Sequence, residues 1–184
     1  MSKALSQYQD QIYTKLKAIL GTRNVMAYPK LSKVVLNMGV GQAINDKKLL
    51  EFSMSDLEKI AGQRPIQRKS RKSEAGFKMR QGWPIGCMVT LRKQKMLNFC
   101  YSLVNAVLPK VRDFKGLSPK SFDGRGNFNM GLKEQIVFSQ IQYDKIDKLR
   151  GLNITFVTTA QNDEDCKALM QALGCPFIGE KEAV

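Results

Sequence analysis

Apolar side chains recur every three or four residues at the start of the chain, a spacing that predicts an amphipathic helix. They are Leu5, Tyr8, Ile12, Leu16 and Ile19. Gly21 follows them and marks the expected end of the helix, because glycine readily adopts the backbone conformation that closes a helix. The first predicted element is therefore a helix that packs its apolar side on a core.

The same periodicity predicts three more helices. One covers 46–62 and ends on Gly62, one covers 94–108 and is broken at Pro109, and one covers 163–174. The last helix begins with the acidic run DED, which the positive end of a helix dipole favours.

Runs rich in branched apolar residues predict strands at 31–38, 86–93 and 152–160, and 65–69 is a short extended segment. Residues 113–130 are rich in Gly, Pro, Ser and Asp, which predicts a long loop. Helices and strands mix without regular alternation. We therefore expect an α+β fold, with an antiparallel β-sheet, helices packed mainly on one side and long basic loops, in a single domain over 1–184.

The strand at 86–93 carries an alternating pattern, which places successive side chains on opposite faces of a sheet. The inward set is Cys87, Val89 and Leu91, and the outward set is Met88, Thr90 and Arg92. Together with Asn37 of the first strand, the outward residues predict a polar sheet face suited to 2′-hydroxyls and phosphates.

Charge is distributed unevenly along the chain. The net charge is +14, and 14 basic against 2 acidic residues in 61–120 contribute +12 of it. Lysines scattered for solubility would be spread more evenly. The concentration favours a polyanionic partner, either nucleic acid or an acidic membrane surface.

The densest basic stretch runs over 64–80, where seven Lys or Arg residues accompany a single acid, Glu74. A solvated loop is the simplest interpretation. However, such a loop needs neither Phe77 nor Trp83, whereas a hairpin that docks on RNA uses cations for phosphates and a ring for stacking. The composition therefore favours RNA contact.

Catalytic motifs are absent from the sequence, which contains no histidine and no GxSxG, HExxH or GxxxxGKS pattern. The one candidate is the GVG turn at Gly39 and Gly41, which follows a strand and precedes a helix. A dinucleotide fold would need a third glycine where Ile44 stands and an acid about 20 residues further on. A nucleotide-binding enzyme is thus the alternative function, and a tight turn that brings backbone close to a neighbour is the commoner meaning.

The cysteines lack the spacing of a metal site and have apolar neighbours, so we expect reduced, buried thiols, no metal and no cofactor. They are Cys87, Cys100, Cys166 and Cys175. No apolar run reaches the roughly 18 residues that span a bilayer, and the charge lies in loops and strand ends rather than on a basic amphipathic helix. The sequence therefore predicts a cytoplasmic protein with no membrane partner.

Several sequence blocks resemble, in order and over about residues 8–178, bacterial ribosomal protein five of the large subunit, the family that binds 5S ribosomal RNA. The blocks are LNMGVG with DKKLL, RKSEAGFKMRQGWPIGCMVTLR, RDFKGLSPKSFDGRGNFNMGLKEQIVF, DKIDKLRGLNITFVTTA and ALGCPF. The sequence departs from the family at Glu74, where an apolar residue is expected, at Met88, where a basic one is expected, and in RKQKM after the strand.

This resemblance implies a non-catalytic protein that anchors 5S ribosomal RNA in the central protuberance, beside 23S ribosomal RNA and neighbouring 5S-binding proteins. The family's RNA-binding positions correspond to Asn37, Gln63, Thr90 and Arg92, with Phe77 nearby. A basic loop at 71–81 is expected to reach the peptidyl-site tRNA, and another edge to touch a small-subunit head protein in an intersubunit bridge. The tRNA-contacting residues of the loop are expected to be Arg71, Lys72, Ser73, Lys78 and Arg80.

Overall fold

The computed structural model describes residues 3–21, 24–44, 46–142 and 146–178. These residues form the helices α1 Lys3–Leu20, α2 Lys48–Ala61, α3 Lys93–Ser102 and α4 Asp163–Ala172. They also form the strands β1 Leu31–Gly39, β2 Ile66–Lys69, β3 Pro84–Leu91, β4 Phe128–Leu132 and β5 Leu152–Thr158. The strands make one antiparallel sheet in the order β2-β3-β1-β5-β4, which confirms the expected α+β fold.

The first helix ends as predicted, because Gly21 has a φ of 70° and its N–H donates to the Lys17 carbonyl at 3.1 Å. Its core contacts are only partly as predicted. The side chains of Tyr8, Ile12 and Leu16 are buried. Ile19 is 49% exposed, so its assignment to the core is wrong. Periodicity identifies the face of a helix but not how far along it the neighbouring elements extend. The Leu5 side chain lies outside the described residues.

The helix predicted over 94–108 does not stay regular up to Pro109. The α-helix ends at Ser102, a π-helical turn follows over Leu103–Val107, and a 3-10 turn covers Leu108–Lys110. In the π-helical turn, the N–H of Leu108 donates to the Leu103 carbonyl, five residues back. Helical winding thus continues past the predicted break, with wider and then tighter turns.

The predicted loop at 113–130 is mostly irregular, but its last three residues begin β4, which the sequence interpretation missed. Two glycines in this loop are held by the Asp163 carboxylate, which accepts hydrogen bonds from the N–H of Gly124 at 3.2 Å and of Gly126 at 3.0 Å. Gly126 has a φ of 75°, and a Cβ there would lie 2.5 Å from the Ala160 carbonyl oxygen, so the turn requires glycine.

The chain divides into two compact units. The sheet unit comprises Val35–Leu91 and Gly131–Ile154, and the helical unit comprises Met1–Val34, Arg92–Met130 and Thr155–Val184. Each has its own buried apolar residues, such as Leu57 and Val89 in the sheet unit. The expectation of a single domain over 1–184 stays a prediction. In the described residues, no helix is both long and apolar enough to span a membrane.

Candidate RNA-binding surface

One face of the sheet unit carries accessible side chains. Along β3, buried and more accessible side chains alternate as predicted. Its inward side chains are buried: Cys87, Val89 and Leu91. Between them, Met88 and Thr90 are half-buried. In β1, Asn37 is exposed between two buried neighbours. We call the side of the sheet unit that carries Asn37, Met88 and Thr90 the open face.

Hydrogen bonding between β1 and β3 places Asn37 close to the outward residues of β3. The N–H of Val40 donates to the Ile85 carbonyl at 2.9 Å. Antiparallel pairing counted from this bond sets Asn37 beside Met88, with both side chains on the open face. Asn37 therefore lies close to Met88 and Thr90, as expected, whereas Arg92, the third predicted outward residue of this strand, follows the end of β3 and occupies the N-cap position of α3.

Gln63 is held against the same strand. It follows Gly62, which ends α2 with a φ of 60°, and its Nε2 donates to the Thr90 carbonyl at 3.4 Å. The side chain is half-buried. The turn after α2 thus brings Gln63 to Thr90, although the two are 27 residues apart in sequence.

Strand β2 extends the open face with residues that the sequence interpretation did not select. Its register pairs Ile66 with Met88 and Arg68 with Gly86, and directly paired residues share a face. Ile66 is 65% exposed and Arg68 is also exposed. All four residues of β2 are exposed, so the strand's own pattern does not distinguish its two faces, and the pairing register was needed to assign them.

The basic loop at 71–81 is a hairpin-like extension between β2 and β3. At its base, the N–H of Ser70 donates to the Trp83 carbonyl at 2.8 Å. Further out, Glu74 and Met79 exchange two backbone hydrogen bonds, of 2.9 and 3.0 Å. The turn between them exposes 73% of Phe77. The segment is therefore an ordered, hydrogen-bonded projection and not a helix.

The side chains of the predicted tRNA-contacting residues all face solvent: Arg71, Lys72, Ser73, Lys78 and Arg80. In the part of the chain that the structure describes, no ion pair joins any of these cations to an acidic side chain. Glu74 is exposed in the same loop. The cations keep their charge available for an external anion.

The five predicted RNA-binding residues lie in different parts of the fold. Asn37 and Thr90 belong to the open face, Gln63 is held at the Thr90 carbonyl after α2, and Phe77 lies in the turn of the basic loop. Arg92 is exposed, directly follows β3 and is the first residue of the helical unit's second segment. It occupies the N-cap position of α3 with φ −138° and makes no side-chain capping bond.

The GVG turn shows no special packing. Residues Gly41–Ile44 form a 3-10 helix. A Cβ at Gly39 or Gly41 would meet no atom within 4 Å, so no close contact in the described chain requires either glycine.

Burial raises the pKa of the Cys87 thiol in β3 to about 11, which keeps this thiol protonated at neutral pH.

Comparison with known proteins gives consistent results along the chain. Residues 24–80 match the family described as ribosomal protein L5, and residues 84–177 match the ribosomal L5P family C-terminus. The chain is 51% identical over 177 residues to the large ribosomal subunit protein uL5 of Nitrosococcus oceani, covering 96% of this chain and 98% of that protein. It is 55% identical to the protein of the same name from a Psychrobacter species and 53% identical to that from a Marinomonas species, each over 96% of this chain and 99% of the relative.

Proposed function

The chain belongs to the ribosomal protein L5 family, and from this membership we propose that it anchors 5S ribosomal RNA in the central protuberance of the large subunit. The protein is a component of the large ribosomal subunit in the bacterial cytoplasm and is not an enzyme. The nucleotide-binding alternative for the GVG turn is therefore wrong.

The observation that carries this proposal is the open face. It presents the amide of Asn37, the hydroxyl of Thr90 and the guanidinium of Arg68 on neighbouring strands. RNA helices display 2′-hydroxyls and phosphates across a wide, shallow minor groove, which a flat surface with short polar side chains can approach. Arg92, just beyond β3, supplies a further cation for a phosphate, and Gln63 a further amide.

The basic loop supports a second contact, with the peptidyl-site tRNA. Its exposed cations suit phosphates, and in the described chain none of them is paired with an acidic side chain. Backbone hydrogen bonds hold the loop in place. A tRNA must enter and leave the ribosome, which favours screened phosphate contacts over tight recognition of bases. From the family resemblance we further propose 23S ribosomal RNA, neighbouring 5S-binding proteins and a small-subunit head protein as partners.

A titration of the purified protein against 5S ribosomal RNA tests the main proposal. An unrelated structured RNA of similar length serves as competitor at fixed salt. We expect 5S ribosomal RNA to be bound at least about 10³-fold more tightly, the lower range of specific over non-specific nucleic-acid binding. Equal competition by the unrelated RNA would refute a specific site and leave only general attraction to polyanions.

A further inference from the structure

The helical unit contains a pocket whose lining, apart from Arg92, includes none of the proposed RNA-binding residues. Its volume is about 530 Å³. This value lies within the range of about 300 to 1,000 Å³ that is usual for ligand sites. Helices α1, α3 and α4 and the segment leading into β1 surround it.

The floor of the pocket is aliphatic. It is lined by Ile12, Leu16, Met96, Leu169 and Leu173, and these residues are buried. Tyr13 also lines the pocket and is 41% exposed, which places it at the mouth. An occupant can therefore bury apolar groups on the floor and contact an aromatic ring at the entrance.

The rim of the pocket is basic. Lys30, Arg92 and Lys93 line it and are exposed, and the lining includes no acidic side chain. Lys93 is also the first residue of α3, so the positive end of that helix dipole adds to the same region. The occupant should consequently combine apolar groups with negative charge.

The chemistry of the floor discriminates between nucleic acid and protein. A nucleobase inserted among aliphatic side chains would leave its polar edges without hydrogen bonds, which is costly, whereas aliphatic or aromatic side chains carry no such penalty. Three helices surround the pocket, and the start of β1 completes its lining. A floor of aliphatic side chains between helices suits the insertion of apolar side chains from an amphipathic segment.

We propose that this pocket receives an acidic segment of another large-subunit protein, which inserts apolar side chains on the floor and sets carboxylates against Lys30 and Lys93. The proposal depends on the family membership, which makes ribosomal proteins the neighbours of this chain. It does not depend on the RNA contacts proposed for the open face.

Site-specific photo-crosslinking in assembled large subunits tests the proposal. Tyr13 is replaced by p-benzoylphenylalanine, and the crosslinked product is identified by mass spectrometry. We expect a peptide of a large-subunit protein with an apolar residue next to Asp or Glu. A crosslink to RNA, a crosslink to a peptide without acidic residues, or no crosslink would each overturn the proposal. The matched control places the same group at Tyr101, which is 47% exposed and does not line the pocket, and it should not capture that peptide.

Charge reversal at the rim provides the second measurement. Lys30→Glu together with Lys93→Glu should lower the crosslink yield about tenfold, because two attractive ion pairs become repulsive. Lys115→Glu with Lys120→Glu makes the same charge change at exposed positions outside the pocket and should leave the yield unchanged. An equal loss in both variants would refute specific pairing at the rim. If the rim variant does not assemble, Lys93→Gln replaces it. A smaller loss of crosslink yield is then expected, and an unchanged yield would refute the pairing. The rim variant is also titrated against 5S ribosomal RNA. This measurement tests the RNA contacts proposed for the open face separately from the pocket.

Discussion

A single glycine in β3 permits the close approach of β1. A Cβ on Gly86 would lie 2.6 Å from the carbonyl oxygen of Met38, a distance at which the backbone must move. Gly86→Ala should lower the free energy of unfolding by about 1 to 3 kcal/mol, as overpacking does elsewhere, measured by urea denaturation. Gly76→Ala is the matched control, because a Cβ there meets nothing within 4 Å and its φ is not positive. Equal effects at both positions would contradict the packing argument.

Two polar residues of the open face, and Arg92 just after β3, should affect RNA binding without affecting stability. Asn37→Ala, Thr90→Ala and Arg92→Ala each remove a polar group from an accessible or half-buried site, so the core loses no packing. Loss of a contact to a charged phosphate should weaken 5S ribosomal RNA binding by about 1.5 to 3 kcal/mol. Filter binding measures the affinity and circular dichroism the fold. If all three folded variants bind like the parent protein, the open face is not the RNA site.

At the residue scale, the sequence predicts on which face of a strand a side chain lies better than it predicts which residues of other elements lie beside it. The alternation in β3 correctly separated Thr90 from Val89, because a strand has a fixed period of two. It could not reveal Arg68, because that residue reaches the open face only through the pairing of β2 with β3. Nor could it separate Phe77 from the sheet residues, since the position of a loop turn depends on the hydrogen bonds at 74 and 79.

At the scale of elements, strong periodicity with a clear end signal gave correct helices and strands. Helix α2, closed by Gly62, is the best example. Strand β4 was missed because FNMGL has a glycine and an asparagine in five residues, and its extended form depends on pairing within the sheet. The π-helical turn after α3 was likewise unpredictable, because side-chain periodicity does not distinguish a bond to the fourth residue back from one to the fifth.

The basic loop should act separately from the open face. Replacing Arg71, Lys72, Lys78 and Arg80 together by Ser should leave 5S binding within a few fold, because exposed charges beyond the Debye length of about 8 Å contribute little to phosphates held elsewhere. The same variant, assembled into large subunits, should retain peptidyl-site tRNA less well. Both affinities are measured on one preparation.

The control for the loop variant removes the same charge at exposed positions outside the basic loop: Lys15, Lys17, Lys115 and Lys120 to Ser. It should retain tRNA like the parent protein. A large loss of 5S binding in the loop variant with unchanged tRNA retention would show instead that the loop is part of the 5S site.

For the whole molecule, buried thiols predict how stability depends on pH. Burial raises the pKa of Cys87 and Cys166 to about 11 and of Cys175 to about 12, and it also raises that of Cys100. Unfolded thiols ionise near pH 8.5, so above that pH the unfolded chain binds fewer protons than the folded one. The thiols' contribution to the free energy of unfolding should therefore be constant below about pH 8.5 and should fall as the pH rises toward 11. Urea denaturation from pH 7 to 10 measures it, and replacement of Cys166 by Ala should make the slope less steep, with the other three thiols still contributing. An unchanged slope would show that Cys166 does not contribute to the loss.

The uneven charge of the chain predicts a strong effect of salt on RNA binding. Because the chain carries +14 and the segment 61–120 carries most of it, binding to 5S ribosomal RNA should release counterions and weaken steeply as salt rises. The log–log slope should fall by about one for each phosphate-contacting cation removed. Arg68→Ala and Arg92→Ala test this directly, and Lys120→Ala, an exposed cation outside the proposed contacts, should leave the slope unchanged. If salt has no effect on binding by the parent protein, the binding energy comes from stacking and shape rather than from charge. If all variants show equal slopes, binding depends on the total charge of the protein and not on contacts by these side chains.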